Sequence, residues 1–320
     1  MINKLRVGII GCGKITQVRH LPEYLEREEV EVVGLCDENL ERASALASTY
    51  NIPFVTNQAD DIIYHPDIQA VSVCTPNKFH AEQSIKALKQ NKHVLVEKPV
   101  ATSIQELNEM YGAALENDKL LIVGHNQRFD PVHLKAKKMI TEGSIGNILQ
   151  FTSNYQHPGP KYWSLDGDHS WFFNQQLSSF GVVGDLGIHK VDLMQWILED
   201  VFSEWKVFKN AVLDDRAVIS LKTQSGVVGS INVSWNNPLQ DHRTVIYGDK
   251  GIMTFGEEFH ILKVEKFDGE IIEVKIEPIL RRDGKPSSCV IDHFLDCILY
   301  GISQVVNPRH VINSLEIITS

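Results

Sequence analysis

Three short stretches carry the residues with the most chemical capacity. Glu97-Lys98-Pro99 closes an apolar run, residues 93–96, that reads as a buried strand. Further along, Asp185 and His189 stand four residues apart where a helical pattern opens, so one helix face presents a carboxylate and an imidazole. Histidine titrates in the range a general base needs, and a lysine ammonium polarises an oxygen and stabilises developing alkoxide charge. Pro99 restricts Lys98 to extended geometry. The set suits removal of a hydroxyl proton beside a cation. We assign His189 as base, Asp185 as its orienting group and Lys98 as electrostatic partner; the reverse division between Lys98 and His189 stays open. Each residue also has a plainer reading: Lys98 as a surface lysine before a turn, His189 as a core histidine, Asp185 as a helix N-cap. Asp185, His189 and Asp192 would also fit one face of a metal set. No second His/Cys cluster at matching spacing supports that, so no metal is expected.

Such a pair oxidises an alcohol only beside a hydride acceptor, and the N-terminus supplies a place for one. Gly11-Cys12-Gly13-Lys14-Ile15-Thr16 directly follows the apolar run 7–10. Gly11 permits a tight strand-to-helix turn; Gly13 lets the backbone approach a pyrophosphate, which then sits on free N–H groups at the start of a helix. Thr16 departs from the Gly or Ala usual at that position. A second strand-like run, 30–36, ends at Asp37, where a carboxylate can accept from the adenosine ribose hydroxyls and repel a 2′-phosphate. NAD is therefore expected, with NADP possible because Arg42 lies one turn on. Asp37 can equally cap the helix that follows.

Chemistry of this kind needs elements that bring distant residues together. Residues 1–125 alternate short apolar runs (7–10, 30–36, 70–74, 93–96, 120–123) with stretches of helical pattern. Continuous rather than alternating strands, separated by helices, are the mark of a doubly wound, mostly parallel α/β sheet covered on both faces. Ligands bind such sheets at strand C-termini, so Thr75, Asn77, Glu97 and Lys98 should share one crevice. Residues 126–320 read differently. A helix over 130–142 and a strand over 148–155 precede an aromatic, Gly-containing stretch and a helix over 188–198. Successive strands with glycine turns follow (217–223, 227–235, 244–247, 252–255, 261–276), then helical patterns at 287–300 and after Pro308. That is an α+β domain with a largely antiparallel sheet.

Bulk properties narrow the class. With 31 Lys+Arg against 41 Asp+Glu over 320 residues, the net charge is −10, which disfavours a nucleic-acid or anionic-membrane binder. Five scattered cysteines without a C-x-x-C pair give neither a disulfide framework nor a zinc ribbon. No run reaches the roughly 18 apolar residues of a membrane span, and the first residues show no signal-peptide pattern. A reduced, cytoplasmic protein is expected.

The motifs together resemble the Gfo/Idh/MocA family, the glucose–fructose oxidoreductase and inositol dehydrogenase group. The matching elements stand in family order: Gly11-x-Gly13 with His20 and Leu21, Asp37, Thr75-Pro76-Asn77-x-x-His80, Glu97-Lys98-Pro99, Asn126-x-Arg128, and Asp185-x-Gly187-x-His189-x-x-Asp192. His125 departs from the aromatic or apolar residue frequent before the Asn. The resemblance implies an N-terminal Rossmann domain, a C-terminal α+β domain with an open sheet, bound NAD(P), and oxidation or reduction of a sugar, cyclitol or related polyol. It extends the cofactor set to His80 and Asn126, suggests a cis Lys98–Pro99 bond, and places Arg128 and Trp163 among the pocket residues. It also implies a homo-oligomer, a dimer or tetramer, built on the open sheet face. A non-catalytic dinucleotide-binding regulator on the same scaffold is the alternative, and reduction of a C=N or ring double bond a weaker third.

Overall fold

The computed structural model describes residues 4–258, 260–306 and 308–320. Its first layer is a six-stranded sheet in the order β3-β2-β1-β4-β5-β6, with β1 (Leu5–Ile10), β2 (Val30–Cys36), β3 (Phe54–Thr56), β4 (Ala70–Val73), β5 (His93–Val96) and β6 (Leu121–Val123), all parallel. This 3-2-1-4-5-6 order is the dinucleotide-binding arrangement, with its crevice where the order reverses between β1 and β4. The connecting helices are α1 (Leu21–Leu25), α2 (Leu40–Tyr50), α3 (Ala59–Ile63), α4 (His80–Lys89) and α5 (Ile104–Glu116). Their starts follow from local chemistry. Asn39 accepts from the Arg42 N–H at the head of α2, and Ser103 accepts from the Glu106 N–H at the head of α5. The strands are apolar throughout because both faces are covered: Val94 and Val96 belong to one core, Leu95 to the other.

The second layer is an eight-stranded sheet, ordered β14-β13-β12-β11-β7-β10-β9-β8. Its strands are β7 (Ile148–Gln156), β8 (Phe202–Lys209), β9 (Arg216–Thr223), β10 (Val228–Ser234), β11 (Thr244–Gly248), β12 (Gly251–Phe255), β13 (Ile261–Lys266) and β14 (Ile271–Lys275). Every pair is antiparallel except β7 with β10. Along β9 exposure alternates residue by residue, so one face meets the helices and the other is open. The helices of this half are α6 (Pro131–Thr141), α7 (Gln175–Ser178), α8 (Ile188–Leu198), α9 (Val290–Tyr300) and α10 (Pro308–Thr319). Apolar residues of α6, α8 and α10 share a continuous core with the inner face of this sheet.

Three features differ from the sequence reading. The single strand expected over 261–276 is a hairpin, β13 and β14, folded at Asp268-Gly269. β3 and β8 were not anticipated: three residues carry no period, and β8 is an edge strand with charged residues facing water. The largest difference is α9. Its Val290, Ile291, Phe294 and Leu295 pack with Leu5, Val7, Leu21 and Tyr24 beneath the first sheet. A late helix thus covers part of the first sheet.

Candidate active site

The site begins at the turn after β1. Gly11 has φ +95, and a side chain there would strike the Cys74 carbonyl at 2.5 Å; beside Gly13 there is only open space. No side chain caps the helical run that follows, so its first N–H groups are left for an anion. Thr16 is fully buried, and its hydroxyl donates to the Gly11 carbonyl, which explains why this departure is tolerated. The backbone there widens into a π-helical turn, Thr16–His20, before α1. Asp37 does not cap α2; its Oδ2 accepts from the Cys12 N–H at 2.7 Å and its Oδ1 from the Asn39 N–H at 2.9 Å, fixing the glycine turn to the end of β2.

At the ends of β4 and β5 a second network holds the catalytic candidate. His20 Nε2 lies 2.9 Å from Glu97 Oε1, and its Nδ1 meets Ser72 Oγ, which also bonds the Tyr24 hydroxyl. Burial opposes charge on both His20 and Glu97. Cys74 and Glu97 nevertheless raise the imidazole's pKa, and His20 lowers that of the carboxylate. Glu97 Oε2 also accepts from the Lys98 N–H. The Lys98–Pro99 bond is cis. The Pro99 carbonyl accepts from His80 Nδ1 at 2.7 Å, while His80 Nε2 lies 2.8 Å from the Thr75 carbonyl. Glu97 and His80 line the cleft, and their hydrogen bonds hold the segment around Lys98.

Lys98 Nζ reaches across to the second domain, donating to Asp185 Oδ1 at 2.7 Å and to the Asp185 carbonyl at 3.0 Å. Asp185 Oδ2 accepts from Trp235 Nε1 at 3.0 Å. Asp185 lies within a second π-helical turn, Val183–Gly187, that runs into α8, so it is not an N-cap. His189, one turn on, lines the same cleft, and its buried Nδ1 has no partner among the described residues. Burial, reinforced by the Lys98 ammonium, holds its pKa well below the histidine range and keeps the ring neutral. Asp192 turns away from both. It receives Arg128 Nη2 at 2.6 Å and Nε at 2.8 Å, and Arg128 Nη1 donates to the Val305 carbonyl. Arg128 is fully buried, which corrects its expected place in the substrate pocket: its guanidinium has no free face. His125 packs beside this pair with Nδ1 3.5 Å from Asp192 Oδ2, but burial lowers its pKa to about 4 and leaves it uncharged.

Glu97, Lys98, His80, Asp185 and His189 border one cleft of about 1040 Å³ between the domains, lined also by Lys14, Ile15, Thr75, Asn77, Asn126 and Trp163. The residues fit a dinucleotide: an uncapped helix start, Asp37 at the end of β2, and the buried Asn126 Oδ1, which lacks a donor among the described residues. Asn77 Nδ2 donates to the Ser178 carbonyl and ties the two walls together. Trp163 packs edge-on against Phe172, and Trp171 stacks on Phe172 at 4.0 Å, forming an aromatic wall. The sequence reading missed Trp235, Tyr155, His242 and Arg19. Tyr155, whose ring approaches His189 at 5.8 Å and His242 at 4.8 Å, lines the cleft at the end of β7. Arg19 also lines it and has no hydrogen bond or ion pair among the described residues. None of these lies in a spacing pattern; only their positions at strand or turn ends hinted at a role.

A parallel sheet with this order, a glycine turn facing its crevice and a lysine at the far wall define an NAD-binding oxidoreductase. Two family models match in succession: the oxidoreductase family with NAD-binding Rossmann fold over residues 5–125, and the GFO/IDH/MocA C-terminal domain over 133–254. The chain belongs to the GFO/IDH/MocA oxidoreductase family. It is 34% identical to D-glucoside 3-dehydrogenase of Escherichia coli (strain K12) over 61% of this chain and 54% of that protein. With scyllo-inositol 2-dehydrogenase (NAD(+)) of Bacillus subtilis (strain 168) it shares 24% identity over 99% of this chain and 93% of that one. The structure of levoglucosan dehydrogenase with NADH and levoglucosan superposes with TM-score 0.83 at 24% identity, covering 98% of this chain and 94% of the other, a likeness of fold.

Proposed function

We propose that this protein is an NAD-dependent dehydrogenase of a sugar, cyclitol or related polyol, oxidising a secondary carbinol or reducing the matching ketone. The observation that carries the reading is the Trp235–Asp185–Lys98 chain on the wall that also bears a neutral His189. Trp235 fixes one carboxylate oxygen and Asp185 takes two N–H bonds of the ammonium. The third N–H of Lys98 is left for a substrate oxygen, where it opposes developing negative charge. A neutral imidazole accepts the hydroxyl proton, and its unpartnered Nδ1 keeps the resulting charge short-lived. Bound nicotinamide supplies the hydride acceptor. Arg19, Tyr155 and the Trp163 wall offer the mixture of polar edges and aromatic faces that a polyol requires. The relatives named for glucosides and inositols support the same substrate class.

Purified protein with NAD and a panel of polyols should generate reduced nicotinamide. Lys98→Ala and His189→Ala should each cut kcat by at least about 100-fold, the usual scale for a positioned acid–base group, while NADH binding by fluorescence persists. Full turnover in both variants would reject the assignment. We further infer assembly through the open face of the second sheet. Phe208, Val218, Val228, Ile252 and Ile271 share that face by register and are exposed in the single chain. Sedimentation as a monomer at micromolar concentration would count against it. No helix among the described residues is long and apolar enough to cross a membrane, and we place the protein in the cytoplasm.

A further inference from the structure

The end of the cleft nearest Asp37 is bridged by a contact between the two domains. Arg42, in the first turn of α2, donates through Nη2 to Asp166 Oδ1, and Asp166 belongs to the aromatic segment between β7 and α7. The other guanidinium nitrogen, Nη1, stands 3.8 Å from Asp37 Oδ1. Arg42, Asp37 and Asp166 all line the cleft. Asp37 cannot turn to engage Arg42 more closely, because both of its oxygens already hold backbone N–H groups at Cys12 and Asn39. Arg42 is therefore oriented by a carboxylate from the opposite domain.

That orientation matters for which dinucleotide the cleft accepts. A ribose at the end of β2 meets Asp37, and a 2′-phosphate there would be repelled unless an arginine fork offsets the repulsion. Arg42 is placed to do so, and its planar donors match phosphate geometry. Asp166 already takes one of them, at Nη2. We propose that Asp166 sets the cofactor preference: by holding Arg42 it competes with a 2′-phosphate for that guanidinium, and so selects NAD. The inference rests on the dinucleotide reading of the cleft and extends it to a residue outside the Rossmann domain.

The test is direct titration of the full-length protein with NADH and NADPH by nicotinamide fluorescence, in wild type, Asp166→Asn, Arg42→Ala and the double variant. Asp166→Ala, which removes the acceptor altogether, serves as a second probe. Freeing Arg42 should lower the ratio of NADPH to NADH dissociation constants by roughly tenfold, the worth of one charge-assisted contact. Adding Arg42→Ala to Asp166→Asn should abolish that gain. An unchanged ratio in both Asp166 variants, or a gain that survives loss of Arg42, overturns the proposal. A wild-type protein that binds neither NADH nor NADPH overturns the dinucleotide reading itself, an outcome separable from a fixed ratio between two measurable affinities.

Discussion

Arg128 shows how a side chain of suggestive type can serve the frame instead of the chemistry. Its guanidinium, 0% exposed, is closed off by the Asp192 carboxylate and the Val305 carbonyl. Burial opposes the Asp192 charge, and Arg128 more than offsets that, lowering its pKa. Removing one partner leaves the other charge buried and unpaired. Arg128→Leu should therefore lower the unfolding free energy by about 3–5 kcal/mol in urea melts of the ligand-free protein. A residue that merely touched substrate would leave those melts unmoved. Residue identity alone could not make this distinction, because Arg128 and Asp192 are 64 positions apart and their pairing exists only after α8 is docked. The same limit hid Trp235, whose bond to Asp185 runs from the end of β10 to the π-helical turn before α8. The place of Lys98 at the cleft, by contrast, was legible because the strand end, the lysine and the proline are contiguous.

Elements were readable where their period was long and their ends were chemically marked. α5 announces itself by Ser103 and Glu106, and the strands of the second sheet by the glycine turns between them. α9 was legible as a helix but not as a member of the first domain, since its apolar face fits either sheet and only tertiary packing decides. Phe294, fully buried beneath the parallel sheet, tests that placement. Phe294→Ala should cost about 3–5 kcal/mol and shift the urea midpoint of NADH binding downward with it. Leu115→Ala, at 83% exposure on α5, should stay within about 0.5 kcal/mol of wild type. The two π-helical turns were invisible in the sequence. Both lie where the backbone must widen to present a functional group, Asp185 in one and His20 in the other.

At the scale of the molecule, buried histidines set the response to acid. Burial lowers His125 to about 4 and His189 well below its usual value. Between about pH 6.5 and pH 4 the unfolded chain binds protons that the native state refuses, so native stability is full above that window and falls as pH drops through it. Each such group contributes a slope of up to about 1.4 kcal/mol per pH unit. The melting temperature should decline across this window, and His125→Phe should flatten the decline; an identical slope in the variant would show that His125 carries none of it. His20 acts in the opposite sense, its stabilisation complete below about pH 6.5 and lost as pH rises toward about 10. The parallel pairing of β7 with β10 has its own consequence. After β7 the chain leaves the sheet, builds the aromatic wall, the π turn and α8, and returns at the edge as β8, from which β9 and β10 lead back to β7. Because both anchors of this excursion are locked into the ladder, insertions or deletions along its outer reaches can reshape the substrate chamber while the ladder keeps its register, leaving room for new specificities on an unaltered frame.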